Sequence, residues 1–422
     1  MLGSSPPAGR VLTAEPLGVI AAGHPLSARA GADAMRDGGN AVDCAVAAML
    51  TSFACEPLLT SLGAGGYILV VEPGKDPVLL DFFVESPGRG ADMTARAELV
   101  PISVSFGDAI QVFNIGPASV GTYGMAAGVC EASSRFGRVP LDDLVRPAAT
   151  LAREGVELNG PQAYVIEILE GIVTSTPECA ALFAPDGRVV RAGDIIRQPE
   201  LADALERLGS EGAAPFFTGD IAAAIVDWLA ERGGIVTAAD LASYEVVDRT
   251  PIRVSYRGRE VVTNPPPSPG GILLAHALAL LDDTPGTPEL ARVVDTMERT
   301  QAERTPEFIE GLDDPEFVKR FLARRSPLGS TTHVAVLDRD GWACSVTCSN
   351  GSCSGVVVPG TGVHLNNMLG EQDLNPLGFH RHPPGRRMPS MMSPTAVLRA
   401  GAPELVLGSA GSNRISSAIL QT

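Results

Sequence analysis

The chain reads as a mixed α and β protein, and three observations predict that class. The apolar run at 334–337, then Asp340-Gly341, then a second apolar run through Trp342, Ala343, Cys344 and Val346 has the pattern of a β-hairpin. Residues 40–53 are alanine-rich and nearly apolar on every side, which suits a helix buried all round. Gly63-Ala64-Gly65-Gly66 precedes an unbroken apolar run at 67–71, the mark of a buried strand approached closely by other backbone. Periodicity defines the class no more finely than this.

In chain order, residues 18–22 read as a strand and residues 25–36 as an alanine-containing helix that stops before Gly38-Gly39. Asn40 and Asp43 then fit the start of the buried helix, where short polar side chains cap free N–H groups. Residues 78–83 read as a further strand. Residues 114–160 read as a glycine turn followed by helices, and residues 200–245 as amphipathic helices broken by glycines. Residues 272–282 form an apolar helix. Residues 284–330 are charged, contain proline and show no sustained period, so they read as a surface linker. No internal repeat is visible.

A chain of 422 residues is long enough for a large core and for one to three domains. A net charge of −17 argues against a nucleic-acid partner. No apolar run reaches the roughly 18 residues of a membrane span, so no membrane partner is expected. The start, Met1-Leu2-Gly3-Ser4-Ser5, lacks the basic and apolar regions of an export signal, and the expected location is cytoplasmic. The seven cysteines form no Cys-x-x-Cys pair, and Cys344, Cys348 and Cys353 have no histidine at zinc-finger spacing. They read as small buried thiols, and no metal is expected. His380 and His382 read as structural residues. No Gly-Lys-Ser/Thr follows Gly63-Ala64-Gly65-Gly66, so a phosphate loop is set aside and no cofactor is expected.

The chemistry centres on Gly329-Ser330-Thr331-Thr332-His333, a hydroxyl cluster at the mouth of the hairpin. Alone, such residues most often end a loop. Their flanks carry more. Thr331-Thr332-His333 through Asp340-Gly341 resembles the start of the small subunit of γ-glutamyltransferases. So do residues 355–362, Leu365-Asn366-Asn367, Ser393-Pro394-Thr395 and residues 408–414, all in family order. Gly38-Gly39-Asn40-Ala41-Val42-Asp43, Phe216-Phe217-Thr218-Gly219-Asp220 and residues 265–271 resemble the large subunit. The resemblance runs from about Gly18 to Gln421.

These enzymes are N-terminal-nucleophile (Ntn) hydrolases, which cut themselves before a threonine and then use it. The resemblance implies an α+β fold of four layers, αββα, C-terminally incomplete because family members continue past Thr422. It implies a large-subunit region 1–330 and a small-subunit region 331–422 that stay associated as one structural domain. It implies cleavage between Ser330 and Thr331, with Thr331 as nucleophile. Ser349 stands where the family usually has another threonine, and Gly411 and Ser412 stand at its paired oxyanion glycines. The substrate would be a γ-glutamyl amide of the glutathione kind or a related amide, with water or an amine as acceptor.

Several positions depart from the family. Its large subunit carries Asp-Phe-Arg-Glu, whose arginine grips the substrate α-carboxylate, and here the match is Asp81-Phe82-Phe83-Val84. Glu371 stands where the family has the aspartate that holds the α-amino group, and Met368 replaces a preceding Gln or Glu. Ser390 matches the first of two substrate-binding serines, Met391 replaces the second, and Asn350 stands for the asparagine after the hairpin. A γ-glutamyl amidase or transferase is the first expectation. A cephalosporin-acylase-like amidase with another acyl group is the second, and a non-catalytic homologue the third. On the first, Phe83→Arg is expected to improve γ-glutamyl hydrolysis.

Overall fold

The computed structural model describes residues 16–105, 110–282, 286, 288–301, 312, 332–375, 378–411 and 415–422. The strands begin with β1 (Gly18–Ala22), β2 (Gly65–Val71), β3 (Val78–Phe82), β4 (Val100–Ser105) and β5 (Ile110–Ile115). The short pair β6 (Val156–Glu157) and β7 (Ile195–Ile196) follows, then β8 (Val247–Arg249), β9 (Ile252–Tyr256) and β10 (Arg259–Thr263). The expected hairpin is β11 (Thr332–Asp338) and β12 (Ala343–Ser349). After it come β13 (Val357–Val358), β14 (Val363–His364), β15 (Thr395–Arg399) and β16 (Ala402–Leu407). The helices that bear on the site are α1 (Pro25–Arg36), α2 (Ala41–Cys55), α3 (Met125–Phe136) and α4 (Leu141–Glu154).

Side chains alternate across a strand, so each strand of the main sheet feeds two cores. That sheet has the order β1-β11-β12-β2-β3-β8 and is antiparallel throughout. Ile68, Val70, Val334, Val336, Cys344, Val346 and Cys348 pack on one face against α2, whose fifteen residues are all buried. Tyr67, Leu69, Val71 and Ala343 pack on the other, with Val262, Ala396 and Leu398 of a second sheet. The second sheet runs β16-β15-β10-β9. Its Val261 joins Leu274 and Leu278 of the helix Pro269–Asp282 and Ile415 and Ile419 of the helix Ile415–Gln421. In both sheets the strands after residue 331 are paired with strands from before residue 264.

The start of α2 is fixed as the sequence indicates. Asn40 Oδ1 accepts from the N–H groups of Val42 and Asp43, and Asp43 returns a carboxylate oxygen to the Asn40 N–H, a reciprocal cap. The Ala41 N–H donates to Asp338 Oδ2 at the end of β11, joining helix to hairpin. Gly66 lies against β12, where a Cβ would stand 2.5 Å from the Thr347 carbonyl oxygen. This is the close backbone approach the glycine run predicts.

Elements beyond the sequence reading appear in the structure. Leu290–Gln301 is a helix within the stretch read as irregular linker. Its inward face carries the buried Thr296 and Thr300, so the apolar period that marks a helix is weak. The hairpin β4–β5 also went unseen. Val100, Ile110 and Val112 are exposed on it, which breaks the alternation expected of a half-buried strand. Among the described residues no single helix is long and apolar enough to cross a membrane.

Candidate active site

The hairpin delivers its hydroxyls to the end of a fully packed strand. β12 lies between β11 and β2, its seven residues are buried, and Thr332 pairs with Cys348. Ser349 follows as the last residue of the strand, opposite Gly65 of β2 and 4% exposed. Its Oγ accepts the Gly351 N–H at 2.9 Å, which leaves the hydroxyl proton available to a neighbour. A side chain of this kind has one rotamer held by the turn beyond it.

The next residues form a closed polar network. Asn350 is fully buried, and its Oδ1 accepts from the Ser61 hydroxyl at 3.1 Å. Ser352 donates its N–H to Glu371 Oε1 at 2.9 Å and its hydroxyl to the same oxygen at 3.0 Å. Asn367 Nδ2 donates to the Ser352 hydroxyl at 2.7 Å. Desolvation pushes the Glu371 carboxyl up, while the Ser352 N–H and hydroxyl pull it down. Gly351 makes this possible. At φ +69 it is in the left-handed region, and a Cβ there would collide with Asn367 Oδ1.

Beside this network the surroundings turn apolar. Met368 precedes Glu371 by three residues and packs in one cluster with Phe83, Tyr67, Met388 and Met392. Phe83 is fully buried and stacks on Tyr67 with ring centroids 5.6 Å apart. Two arginines lie nearby, and both are held by the protein. Arg387 donates to the Phe83 carbonyl and the Tyr244 hydroxyl and reaches the Glu245 carbonyl at 2.6 Å. It also lies 3.5 Å from Asp81 and Glu85. Arg89 pairs with Glu85 at 3.5 Å and Asp240 at 3.4 Å.

The remaining candidates are spread. Ser390 is buried before β15, and its Oγ accepts the Met392 N–H at 3.2 Å. Gly411 has φ +120, a conformation that suits glycine. Ser330, Thr331 and Ser412 lie outside the described residues. The structure thus brings Ser349, Asn350 and Glu371 together around one turn and packs Phe83 in one cluster with Met368. The sequence reading missed Ser352 and Ser61, although Asn367 lay in a quoted motif. It also missed Arg387, whose signal was only a proline- and arginine-rich loop. The seven cysteines are free thiols, and among the described residues no three His, Cys, Asp or Glu side chains form a group able to hold a metal.

Paired antiparallel sheets with helices packed on them, and a hydroxyl-rich strand end in the middle, make a mixed helix-and-sheet molecule similar to Ntn-hydrolase structures. The cephalosporin acylase from Bacillus halodurans superposes with a TM-score of 0.80 over 100% of this chain and 83% of its own, at 24% identity. The Helicobacter pylori γ-glutamyltranspeptidase gives 0.62 over 74% and 93%, at 25% identity.

The chain belongs to the γ-glutamyltranspeptidase family, whose profile matches residues 27–422. A glutathione hydrolase proenzyme of Bacillus subtilis strain 168 is 30% identical over 96% of this chain and 77% of its own length. An acylase ACY 1 proenzyme of Pseudomonas sp. strain SE83 is also 30% identical, over 96% and 78%. The protein is therefore an enzyme, a hydrolase or acyltransferase of this family.

Proposed function

We propose that the protein matures by cutting itself between Ser330 and Thr331 and then acts as an amidase or acyltransferase through an acyl-Thr331 intermediate. The observation that carries this reading is the buried, hydrogen-bonded end of β12, where Ser349 and the Ser352–Asn367–Glu371 network meet. The freed Thr331 amine, with an ordinary pKa of about 7.7–8.0, serves as base for its own hydroxyl. Ser349 orients that hydroxyl, and the backbone N–H groups of Gly411 and Ser412 receive the oxyanion. Asn350, Glu371 and Ser390 hold the acyl group, and water or an amine accepts it.

The packing order of helices, main sheet, second sheet and helices supports a four-layer αββα sandwich. The interleaving of strands from 1–330 and 331–422 supports one structural domain whose fragments remain together after the cut.

On the acyl group, the burial of Phe83 and the engagement of Arg387 and Arg89 favour a side chain without an α-carboxylate, closer to an acylase substrate than to glutathione. A γ-glutamyl amide is the second reading, favoured by Glu371 at the amino-group position. Intact-mass analysis of the purified chain tests maturation, with two fragments expected from wild type and none from Thr331→Ala. A substrate panel separates the two acyl classes. A wild-type chain that stays whole under activating conditions removes the nucleophile.

A further inference from the structure

His364, the last residue of β14, is 5% exposed and has no role in the reading above. Its Nδ1 lies 3.3 Å from the Pro57 carbonyl oxygen, which can only accept, so Nδ1 carries the proton and donates. Nε2 is then a bare acceptor, and among the described residues this buried atom has no hydrogen-bond partner. Burial pulls the imidazole down to about 4, so Nε2 keeps its lone pair at neutral pH. The carbonyl of the same residue accepts from the Ser61 hydroxyl and from Asn350 Nδ2. A buried acceptor that meets no donor is costly, and an apolar ring would fill the place without that penalty.

The imidazole lines a cavity of 350 Å³ between the helix Pro177–Phe183, the start of the helix Pro199–Glu211 and the β13–β14 hairpin. Small-molecule sites run from roughly 300 to 1,000 Å³, so the volume is that of a site. Leu182, Leu201, Val357 and Pro359 make its walls apolar. The hairpin turn is pinned at Gly362, with φ +64, where a Cβ would stand 2.3 Å from the Glu200 carbonyl oxygen. Nδ1 is given to Pro57 and the ring is tilted on Phe183 with centroids 5.9 Å apart, which leaves the Nε2 edge to the cavity. The charged residues that line it are Glu178, Arg197 and Glu200. Arg197 Nε donates to the Glu154 carbonyl at 3.1 Å, and Glu200 Oε2 accepts the Gly360 N–H at 2.9 Å. An anion would meet two carboxylates there against one guanidinium.

We infer that this cavity binds a small, neutral, mostly apolar molecule carrying one O–H or N–H, which donates to His364 Nε2. The body of such a molecule lies on the aliphatic walls, and its single donor supplies the hydrogen bond that the protein leaves open. The inference goes beyond the proposed function and does not rest on it. Ser349, Glu371 and Ser390 are not among the residues that line the cavity.

The test titrates the full purified chain at neutral pH with three probes, read by isothermal titration calorimetry. Phenol has the donor, anisole has the same ring without it, and benzoate carries a negative charge. Phenol should bind roughly tenfold more tightly than anisole, the worth of one buried hydrogen bond, and benzoate should bind most weakly. His364→Phe keeps a ring on Phe183 and removes the acceptor. Its affinity for phenol should fall to that for anisole, while anisole itself binds as to wild type. Leu182→Trp fills the cavity with the imidazole in place and should abolish binding of both. Thermal unfolding is recorded for each variant, and Leu182→Trp carries the test if His364→Phe does not fold. Equal affinity of wild type for phenol and anisole overturns the inference, because the hydrogen bond to His364 defines the site. Phenol binding that survives Leu182→Trp unchanged places the probe elsewhere on the chain and overturns it too. So does a wild-type chain that takes up no phenol at concentrations up to about 10 mM.

Discussion

Glu371 follows Met368 by three residues and Phe83 packs in one cluster with it, and the chain treats the two in opposite ways. Glu371 Oε1 accepts from the Ser352 N–H and the Ser352 hydroxyl, and the Asn367 amide donates to that same hydroxyl. Around Phe83 the side chains are Tyr67, Met368, Met388 and Met392, and the nearby guanidinium of Arg387 is spent on backbone carbonyls and the Tyr244 hydroxyl. The first side holds the Glu371 carboxyl among hydrogen-bond donors. Among the described residues, the arginines beside the second, Arg387 and Arg89, are engaged by the protein itself. On the reading proposed above, half of a site for an amino-acid head persists here. Selectivity can change by losing a charge partner on one side while the chemistry and the other side stay in place.

The largest effect expected is at the nucleophile. Thr331→Ala should stay uncut by intact mass, and its turnover should fall by about a thousandfold or more, since the covalent route is lost. Glu371→Ala sharpens the comparison directly. If the acyl group carries an amino head, kcat/KM should drop roughly tenfold to a hundredfold, as a charge-assisted contact is worth about 1.5–3 kcal/mol. If it lacks one, steady-state kinetics on the same acyl amide will show little change, and the polar side is a remnant.

The apolar side has its own test. Wild type should hydrolyse glutathione at least about tenfold less efficiently than a desamino, decarboxy acyl amide, for want of a cation. Burial also alters the expectation for Phe83→Arg. With the ring fully enclosed against Tyr67, an arginine there loses core packing and brings in a charge, so the variant should lose about 3 kcal/mol or more by denaturant melts before any gain in binding. Ordinary saturation by glutathione in wild type would break the comparison.

Ser349→Ala should slow acyl transfer by about tenfold with an unchanged Tm, because it removes one positioned hydroxyl and little packing. Ser349→Thr should be tolerated. The smallest effect is on stability. The Glu56 carboxyl is raised from its ordinary 4.5 to about 7, so the folded chain binds more protons than the unfolded one between those values. Stability must then fall as pH rises through that window, and the deficit is fully present above it. Glu56→Gln removes the deficit. Its Tm relative to wild type should be higher at about pH 8 than at about pH 5, by the equivalent of roughly 1–3 kcal/mol. An equal offset at both pH values would rule out titration of Glu56.

The legible parts of the fold were those written in local pattern. Asp340-Gly341 between apolar runs gave the hairpin, and Asn40 with Asp43 gave the start of α2, because turns and caps depend on neighbours a few residues away. Leu290–Gln301 was hidden because threonines take its buried positions. At the site, residue types in family order pointed to Ser349, Asn350 and Glu371. Their partners were harder to see. Ser61 meets Asn350 across 289 residues, and Arg387 meets the Phe83 carbonyl across 304. No local pattern announces such contacts.

The interleaving of the sheets bears on how the molecule is made. β1 and β2 cannot be joined into one sheet until β11 and β12 occupy the place between them, and the Ala41 N–H finds Asp338 only 297 residues later. Contacts of such sequence separation are slow to form. During synthesis the edges of β1 and β2 that face this place stay unpaired until β11 and β12 emerge, a period of exposure to wrong strand partners. The uncut precursor shortens that period by keeping the missing hairpin tethered, at the high effective concentration of an intramolecular partner. Cutting before assembly would forfeit that advantage, so cleavage belongs after the sheet has closed. On the maturation proposed above, the peptide bond at 330–331 has by then finished its work as a tether, and its scission turns a folding aid into a free amino terminus.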